Sequence, residues 1–495
     1  MVEKSFEGVK AQLLLFDVHK PQGAITQPEG YVSSLVELLY ELEYEPFREE
    51  QEEKTIAAVY RTANQDTKNL RAFPLDPFEK NSKPEPEDLV AKLDDLFVLE
   101  RDPTKKMKAA KGIANSIVGI EIDDTENRLA VPLSRGLAAI QNRPGIGWHH
   151  GAWNLGEAIA EFYEIGFLSQ GKDKTEKEFC SPQERWKRSV ERRTAEDPVL
   201  SAIDESYTSL YHGKLTERSV KGTAQRLDYR EFGEINPFLW FVETWDNLNN
   251  EAWVDALPAR QWTDWATAVL RLSLGLGYLW IVRWYREIAR NILLNEPANW
   301  IELIKKIDTN PLIPKISSTQ NISDRHVWGQ LEGQLLQYKK LHDAVENTLK
   351  NFADEETTVE EFFEKISESR AVSEEFETAM NSNNSKQARD FVRYTLRTRQ
   401  EKNINADHYG LLKARGGKGN KQYTILEPGT ELIAVLASLT SPGPNSETSL
   451  KQVNNSLRQL GLKWDRKELI QMLQAAGLVK GSPDADEGVI VRTAY

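Results

Sequence analysis

Hydrophobic residues recur every three or four positions through most of the chain, which is the period of amphipathic helices. This spacing predicts helices over 31–43, 87–99, 107–118 and 324–349. The short apolar run within 8–20 suits a strand or a short buried helix equally well. Together the patterns indicate a mainly helical protein.

The stretch 238–300 is unusually rich in tryptophan. It holds eight of the 13 tryptophans, namely Trp240, Trp245, Trp253, Trp262, Trp265, Trp280, Trp284 and Trp300. Their helical spacing among leucines favours a hydrophobic core over a platform for base stacking. The most apolar part, 266–282, contains Arg271, which would cost about 2.5–3.5 kcal/mol at the centre of a membrane. We expect a buried helix of a soluble protein here.

Composition narrows the classes of protein that need to be considered. The chain has 495 residues, of which 40% are hydrophobic and 28% charged, a balance typical of a multi-domain globular protein. Cys180 is its single cysteine, which excludes an intrachain disulfide and a cysteine-based zinc site. We expect a cytoplasmic protein without a signal peptide or membrane span. Because the net charge is −13, any contact with nucleic acid must be local.

Basic residues cluster in the C-terminal third. Helices are predicted from Val359, over 373–380 and over 385–399, and the last of these aligns Lys386, Arg389, Arg393 and Arg397 on its outer face. Like charges four residues apart destabilise a helix by about 0.2–0.5 kcal/mol per pair, so a polyanionic partner would explain the alignment. Residues 386–423 contain ten basic and three acidic residues, a local net charge of +7 that leaves −20 for the remainder.

A glycine-rich hairpin follows the basic helix. Strands are predicted over 409–415 and 422–425, around the turn 416–420, and an amphipathic helix contains Leu432 to Leu439. The order from Val359 to Leu439 resembles a winged-helix domain. That resemblance implies that Ser385–Arg399 is a recognition helix and Lys413–Lys421 a wing. The implied nucleic-acid-binding residues are Lys386, Arg389, Arg393, Arg397, Lys413, Arg415, Lys418 and Lys421.

A second unit follows the linker 441–444. Helices are predicted over 449–460 and 465–476, with strands near 478–480 and 489–492. This order also resembles a winged helix, for which Leu432 to Leu439 would double as the first helix. Its turn is acidic, so contact with protein, or packing, suits this copy better than contact with phosphate.

The expected fold class is mainly α, with a multi-domain helical body followed by tandem C-terminal winged-helix domains that carry small β-hairpin wings. Four domains are predicted: a mixed, mostly helical unit over 1–175, a tryptophan-rich helical unit over 176–352, the basic winged helix over 353–440 and the second winged-helix-like unit over 441–495.

Two groups of side chains could in principle hold a metal. One is the loop with His149 and His150 together with Glu157 on the helix that follows, and the other is the acidic cluster at Asp123. Adjacent histidines point in different directions, and the spacing of a helical metal site is absent. Packing, capping or an exposed turn is the favoured interpretation, and no catalytic residue, metal or cofactor is predicted.

The leading hypothesis is a non-catalytic subunit that binds double-stranded DNA and docks onto partner proteins of the same operon. Such an architecture would suit an accessory component of a bacterial system for anti-phage defence or genome maintenance. Two alternatives remain open. The winged helices can be protein-interaction modules whose basic face pairs with acidic stretches near Glu49 or Asp354, or the chain can be a metal-dependent enzyme with a site around His149 and His150.

Overall fold

A computed structural model gives the architecture of the chain. It describes residues 9–14, 21, 29–36, 40–44, 87–97, 99, 101–118, 133, 155–170, 179–208, 213–217, 232–296, 299–314, 327–354, 357–400, 409–416, 422–479 and 489–495. These residues are mainly helical and include three small sheets. The predicted mainly α class is confirmed.

The first part of the chain, up to residue 308, contains eleven helices and two strands among its described residues. They are α1 (Val9–Leu14), α2 (Glu29–Val36), β1 (Tyr40–Tyr44), α3 (Glu87–Phe97), α4 (Pro103–Val118), α5 (Leu155–Leu168), α6 (Pro182–Glu196), α7 (Pro198–Thr208), β2 (Gly213–Glu217), α8 (Pro237–Leu248), α9 (Glu251–Ala256), α10 (Ala259–Leu294) and α11 (Trp300–Asp308).

The second part adds further helices and five short strands within the described ranges. They are α12 (Val327–Leu335), α13 (Tyr338–Phe352), α14 (Val359–Ile366), α15 (Arg370–Met380), α16 (Lys386–Leu396), β3 (Thr398–Gln400), β4 (Leu412–Gly416), β5 (Gln422–Leu426), α17 (Thr430–Ser438), β6 (Glu447–Ser449), α18 (Leu450–Gln459), α19 (Arg466–Ala475) and β7 (Ile490–Arg492).

Helix α10 is the central element. Its 36 residues span about 54 Å at 1.5 Å per residue. It packs against α2, α5, α8, α11, α13, α15 and α16. The helix is long and apolar enough to cross a membrane, but its most apolar window is entirely buried within the protein. This burial is what the sequence predicts for 266–282, although the helix extends well beyond that range.

The tryptophans form the core around α10. Seven of the eight between residues 238 and 300 are at most 1% exposed and the eighth, Trp300, is 8% exposed, so the core interpretation is confirmed. Trp186 of α6 stacks on Trp262 with ring centroids 3.9 Å apart and planes 2° apart. Indole N–H groups also join distant segments, because Trp284 donates to the Leu13 carbonyl and Trp245 to the Pro182 carbonyl.

Three predicted helices differ from the observed elements. The helix predicted over 31–43 ends at Val36, and β1 then pairs antiparallel with β2, with Leu42 opposite Leu215. The helix predicted over 324–349 is divided at Leu336 and Gln337 into α12 and α13. Gln337 lies at this break, where its side chain accepts from Arg286 and donates to the Met380 carbonyl. The helix predicted over 385–399 ends at Leu396, and Thr398–Gln400 form β3, which pairs with β4. These differences arise from long-range partners, which a local hydrophobic period does not reveal.

The C-terminal third packs directly on the helical body. Trp253 Nε1 donates to the Ser441 carbonyl at 3.0 Å, and Asn247 Nδ2 donates to the Leu439 carbonyl at 2.8 Å. Trp240 Nε1 reaches Ser456 Oγ of α18 at 3.0 Å. Buried side chains on both sides of the predicted boundaries at 352 and 440 belong to one hydrophobic cluster. The predicted four-domain division stays a prediction.

Candidate nucleic-acid interface

The inner face of the basic helix α16 is fixed to α10. Its buried side chains are Ala388, Phe391, Val392, Thr395 and Leu396, the apolar set that the helical period predicts. A Cβ at Gly275 of α10 would lie 2.5 Å from Thr395 Oγ1, so the absence of a side chain there permits the close approach. Phe391 meets Tyr278 of α10 edge to face at 5.5 Å. The helix therefore packs closely on α10.

The four predicted cations of α16 occupy different environments. Lys386 and Arg393 are exposed. Arg393 lies with its guanidinium carbon 6.0 Å from the ring centre of Trp328, and the neighbouring Tyr394 is 45% exposed. This part of the predicted outer face presents two cations and an aromatic ring to solvent.

Arg389 is occupied by carboxylates of the protein itself. Its Nε donates to Asp390 at 2.8 Å, its Nη1 lies 3.3 Å from a Glu332 oxygen of α12, and its side chain is 24% exposed. The hydrogen bond with Asp390 raises the pKa of Arg389 despite the opposing effect of burial. Its positive charge is balanced by Asp390, the next residue, and by Glu332. The sequence did not indicate the contact with Glu332, because that residue is 57 positions away.

Arg397 ends α16 in an unusual conformation. Its φ of 49° places a non-glycine residue in the left-handed region, and its carbonyl accepts from the Leu412 amide at 3.1 Å. Burial raises the pKa of Tyr31, and the positive charges of Arg271 and Arg397 oppose that rise. Arg397 is half-buried and its charge acts on a buried residue of α2, so it differs from Lys386 and Arg393.

The predicted wing is a hairpin in a three-stranded sheet of order β3-β4-β5. Strands β4 and β5 are antiparallel, while β3, which the sequence did not predict, pairs parallel with β4. Buried Arg271 of α10 donates to the Tyr409 carbonyl at 3.0 Å, just before β4. Arg271, the charged residue that argued against a membrane span, thus holds the segment that leads into the β4–β5 hairpin.

Two of the wing cations share one carboxylate. Lys413 Nζ lies 2.7 Å and Arg415 Nη2 lies 2.6 Å from the two oxygens of Glu427. Burial would raise the pKa of Glu427, but the hydrogen bonds from Lys413 and Arg415 outweigh it and hold the pKa below its usual value. Lys418 and Lys421, the other predicted wing residues, lie outside the described residues.

The C-terminal unit has the element order α17, β6, α18, α19 and β7. Strand β6 pairs antiparallel with β7, and α17 packs against α18, α19 and β7. Helix α17 thus also packs within this unit, as the sequence suggested for Leu432 to Leu439.

Sequence reasoning overlooked a second set of exposed cations, Lys463, Arg466 and Lys467, just before and at the start of α19. The sequence did carry a signal for this set, namely three cations within five residues at the start of a predicted helix.

The sites considered for metal or catalysis are only partly described. His149, His150 and Asp123 lie outside the described residues, and Glu157 is half-buried on α5. Among described residues, the cluster of His342, Asp343 and Glu346 was not predicted. His342 Nδ1 lies 3.8 Å from an Asp343 oxygen and 4.0 Å from a Glu346 oxygen, and all three residues lie on α13.

Comparison of the chain with protein-family models, with curated proteins and with solved structures gave no match.

Proposed function

We propose that the chain is a non-catalytic, DNA-binding accessory subunit of a bacterial multi-protein system, with winged-helix units in its C-terminal third. The duplex would be contacted through its phosphates by the exposed cations of α16, above all Lys386 and Arg393. Partner proteins of the same system would dock on the helical body. The observation that carries the proposal is this pair of exposed cations on a helix fixed to the core.

The positions of the cations support an anionic partner. Lys386 is the first residue of α16, and Arg466 and Lys467 are the first two residues of α19. Helix N-termini carry partial positive charge, so a cation there is unfavourable by about 0.3–1 kcal/mol at an exposed site. A phosphate group at the same place would be attracted by both the backbone amides and the side chains. Duplex DNA supplies such groups at regular spacing.

The element order supports the winged-helix assignment. The succession of α17, β6, α18, α19 and β7, with β6 beside β7, is consistent with a helix–strand–helix–helix–strand unit of this class. In the basic unit, α16 would take the place of the recognition helix and the β4–β5 hairpin that of the wing. Since Lys413 and Arg415 already pair with Glu427, and Arg389 with Asp390 and Glu332, the proposed contact narrows to Lys386 and Arg393.

The proposal is tested by measuring the affinity for a short DNA duplex across a salt series. We expect Lys386→Glu with Arg393→Glu to weaken binding and to reduce the slope of log K against log salt by about two, since each phosphate contact contributes about one. The control is Lys105→Glu with Lys108→Glu, which makes the same charge change at two exposed positions on α4. A third variant, Arg466→Glu with Lys467→Glu, examines the C-terminal unit.

Negligible duplex binding by the wild-type protein, or equal losses in the α16 variant and the α4 control, would overturn the proposal. The alternative is that α16 binds a protein. The exposed ring of Tyr394 beside Arg393 favours that alternative, because aromatic and arginine side chains are enriched at protein interfaces. If the α16 variant loses capture of a partner protein encoded nearby while duplex binding is unchanged, the protein-interaction function replaces the first.

A further inference from the structure

A cationic cavity of about 490 Å³ opens between α10, α11 and the end of α12. Its charged lining comprises Arg283, Arg286, Arg290, Lys306, Glu287 and Glu296. These four cations and two carboxylates give the lining of the cavity a net charge of +2. The whole protein, by contrast, has a net charge of −13. Its lining residues come from α10, α11, α12 and the residues that follow α10 and α11, and not from α16. Its volume is within the range typical of sites for small molecules.

Three arginines of this cavity lie on one face of α10. Arg283, Arg286 and Arg290 are separated by three and four residues, so they are neighbours on the helix surface. The pKa of Arg283 and that of Arg286 are both lowered, first by burial and also by the charge of nearby arginines. The arginines repel one another, and an anion in the cavity would relieve the repulsion.

The arginines have different internal partners. Arg283 is structural, because it donates to the carbonyls of Ile307, Asn310 and Pro311 at the end of α11. Arg286 donates through Nη1 to Gln337 at 2.6 Å. Since a guanidinium has five N–H donors in a fixed fork, most donors of Arg286 remain available for a ligand.

Arg290 and Lys306 border the cavity with their charged groups near solvent. Arg290 Nη1 contacts Glu287 at 2.9 Å, and the Arg290 side chain is 59% exposed. Lys306 donates to Asn291 at 2.7 Å and lies 3.0 Å from Glu296. The Lys306–Glu296 pair is exposed on both sides, at 40% and 50%, and exposed ion pairs contribute little to stability, so a ligand can replace it at small cost. Glu287 is only 12% exposed, so Arg290 would bind a ligand while keeping its contact with Glu287.

A second cavity of about 530 Å³ adjoins the first and shares Arg286 and Gln334 with it. Amide side chains dominate its lining: Gln330, Gln334, Gln337, Asn381 and Asn383. Amides both donate and accept hydrogen bonds. They suit the hydroxyl groups of a sugar or the edge of a heterocycle better than an apolar ligand.

We propose that these joined cavities bind a small phosphorylated molecule, with its phosphate beside Arg286, Arg290 and Lys306 and its polar body along the amide-lined cavity. The net charge of +2 matches a phosphate monoester dianion, whereas a single carboxylate would leave half of it unbalanced. Arginine is suited to this task because its planar fork can make two parallel hydrogen bonds to phosphate oxygens.

The test begins with isothermal titration of the full chain with inorganic phosphate, at ionic strength matched with chloride. Nucleoside monophosphates and sugar phosphates follow, each compared with its unphosphorylated parent. We expect phosphate to bind, and at least one phosphorylated compound to bind more tightly than phosphate itself. Arg290→Gln with Lys306→Gln should weaken both by about tenfold or more, since a charge-assisted hydrogen bond is worth that factor.

The matched control is Lys305→Gln. Lys305 is the exposed neighbour of Lys306 on α11 and does not line the cavity, so its variant should bind as the wild type does. Thermal unfolding without ligand establishes that each variant folds. Absence of phosphate binding, equal binding by all variants, or failure of every phosphorylated compound to exceed phosphate would overturn the proposal. So would a loss of duplex DNA binding in the double variant while small phosphates bind unchanged.

Discussion

Gly461 fixes how the C-terminal unit meets the helical body. It follows α18 with a φ of +72°, and a Cβ there would lie 2.4 Å from Leu312 Cγ. Leu312 is 3% exposed, and its amide donates to the Gly461 carbonyl at 2.8 Å. Leu312 therefore cannot retreat from an added methyl group without stretching that hydrogen bond. Gly461→Ala should destabilise the protein.

The chain offers a matched control in Gly477. Its φ is +75°, but nothing lies within 4 Å of an added Cβ. Alanine at either glycine bears a backbone cost of about 1–2 kcal/mol, offset in both by about 0.4–1 kcal/mol from the less flexible unfolded chain. Gly461→Ala alone adds overpacking against Leu312, which costs about 1–3 kcal/mol. Gly461→Ala should therefore lower the free energy of unfolding by about 1–3 kcal/mol more than Gly477→Ala does.

The measurement is urea unfolding followed by tryptophan fluorescence, together with hydrogen exchange of the peptide that contains Leu312. We expect Gly461→Ala to lower the unfolding midpoint more than Gly477→Ala and to speed exchange of the Leu312 amide. Equal midpoints for the two variants would refute the reasoning, because the backbone cost is the same and only the contact with Leu312 differs.

Two further predictions concern a charge cluster and the tryptophan core. Because the pKa of Glu427 is lowered in the folded protein, its ion pairs with Lys413 and Arg415 stabilise the fold above the unfolded-state pKa, and this contribution is lost as the pH falls through the folded-state pKa. Glu427→Gln should thus lower the melting temperature at neutral pH, and the deficit should vanish in acid; a deficit independent of pH would contradict the assignment. Trp186→Ala should lower the free energy of unfolding in urea by about 3–5 kcal/mol, the usual range when a large buried aromatic side chain is removed. The reason is that this ring is only 1% exposed and stacks on Trp262. A loss below about 1 kcal/mol would show that the stack does not support the core.

Much of the helical framework could be predicted from local pattern. The elements at 87–97, 103–118 and 359–366 match the periodic stretches, and the Thr358–Glu361 capping box forms at the predicted start of α14. Ser385 stands at the N-cap position of α16. Its hydroxyl, however, accepts from the Lys339 amide of α13, so the cap serves a neighbouring helix.

The candidate interface was less predictable. Helical periodicity placed four cations on one face of α16, but it carried no information on the carboxylates that other segments bring near them. Glu332 reaches Arg389 from α12, and Glu427 reaches Lys413 and Arg415 from the end of β5. The cationic cavity was missed for the same reason, since its arginines and Lys306 come from two helices that meet only in the fold.

The sequence by itself determined the mainly helical class, the tryptophan core around a buried central helix, and the apolar inner face of α16. These follow from hydrophobic spacing, which acts over one or two helical turns. Tertiary structure decided which cations remain exposed, where β1 replaces a predicted helix, and that the C-terminal third packs on the body. Those outcomes depend on contacts between residues distant in the chain, whose charges and hydrogen bonds have no local signature.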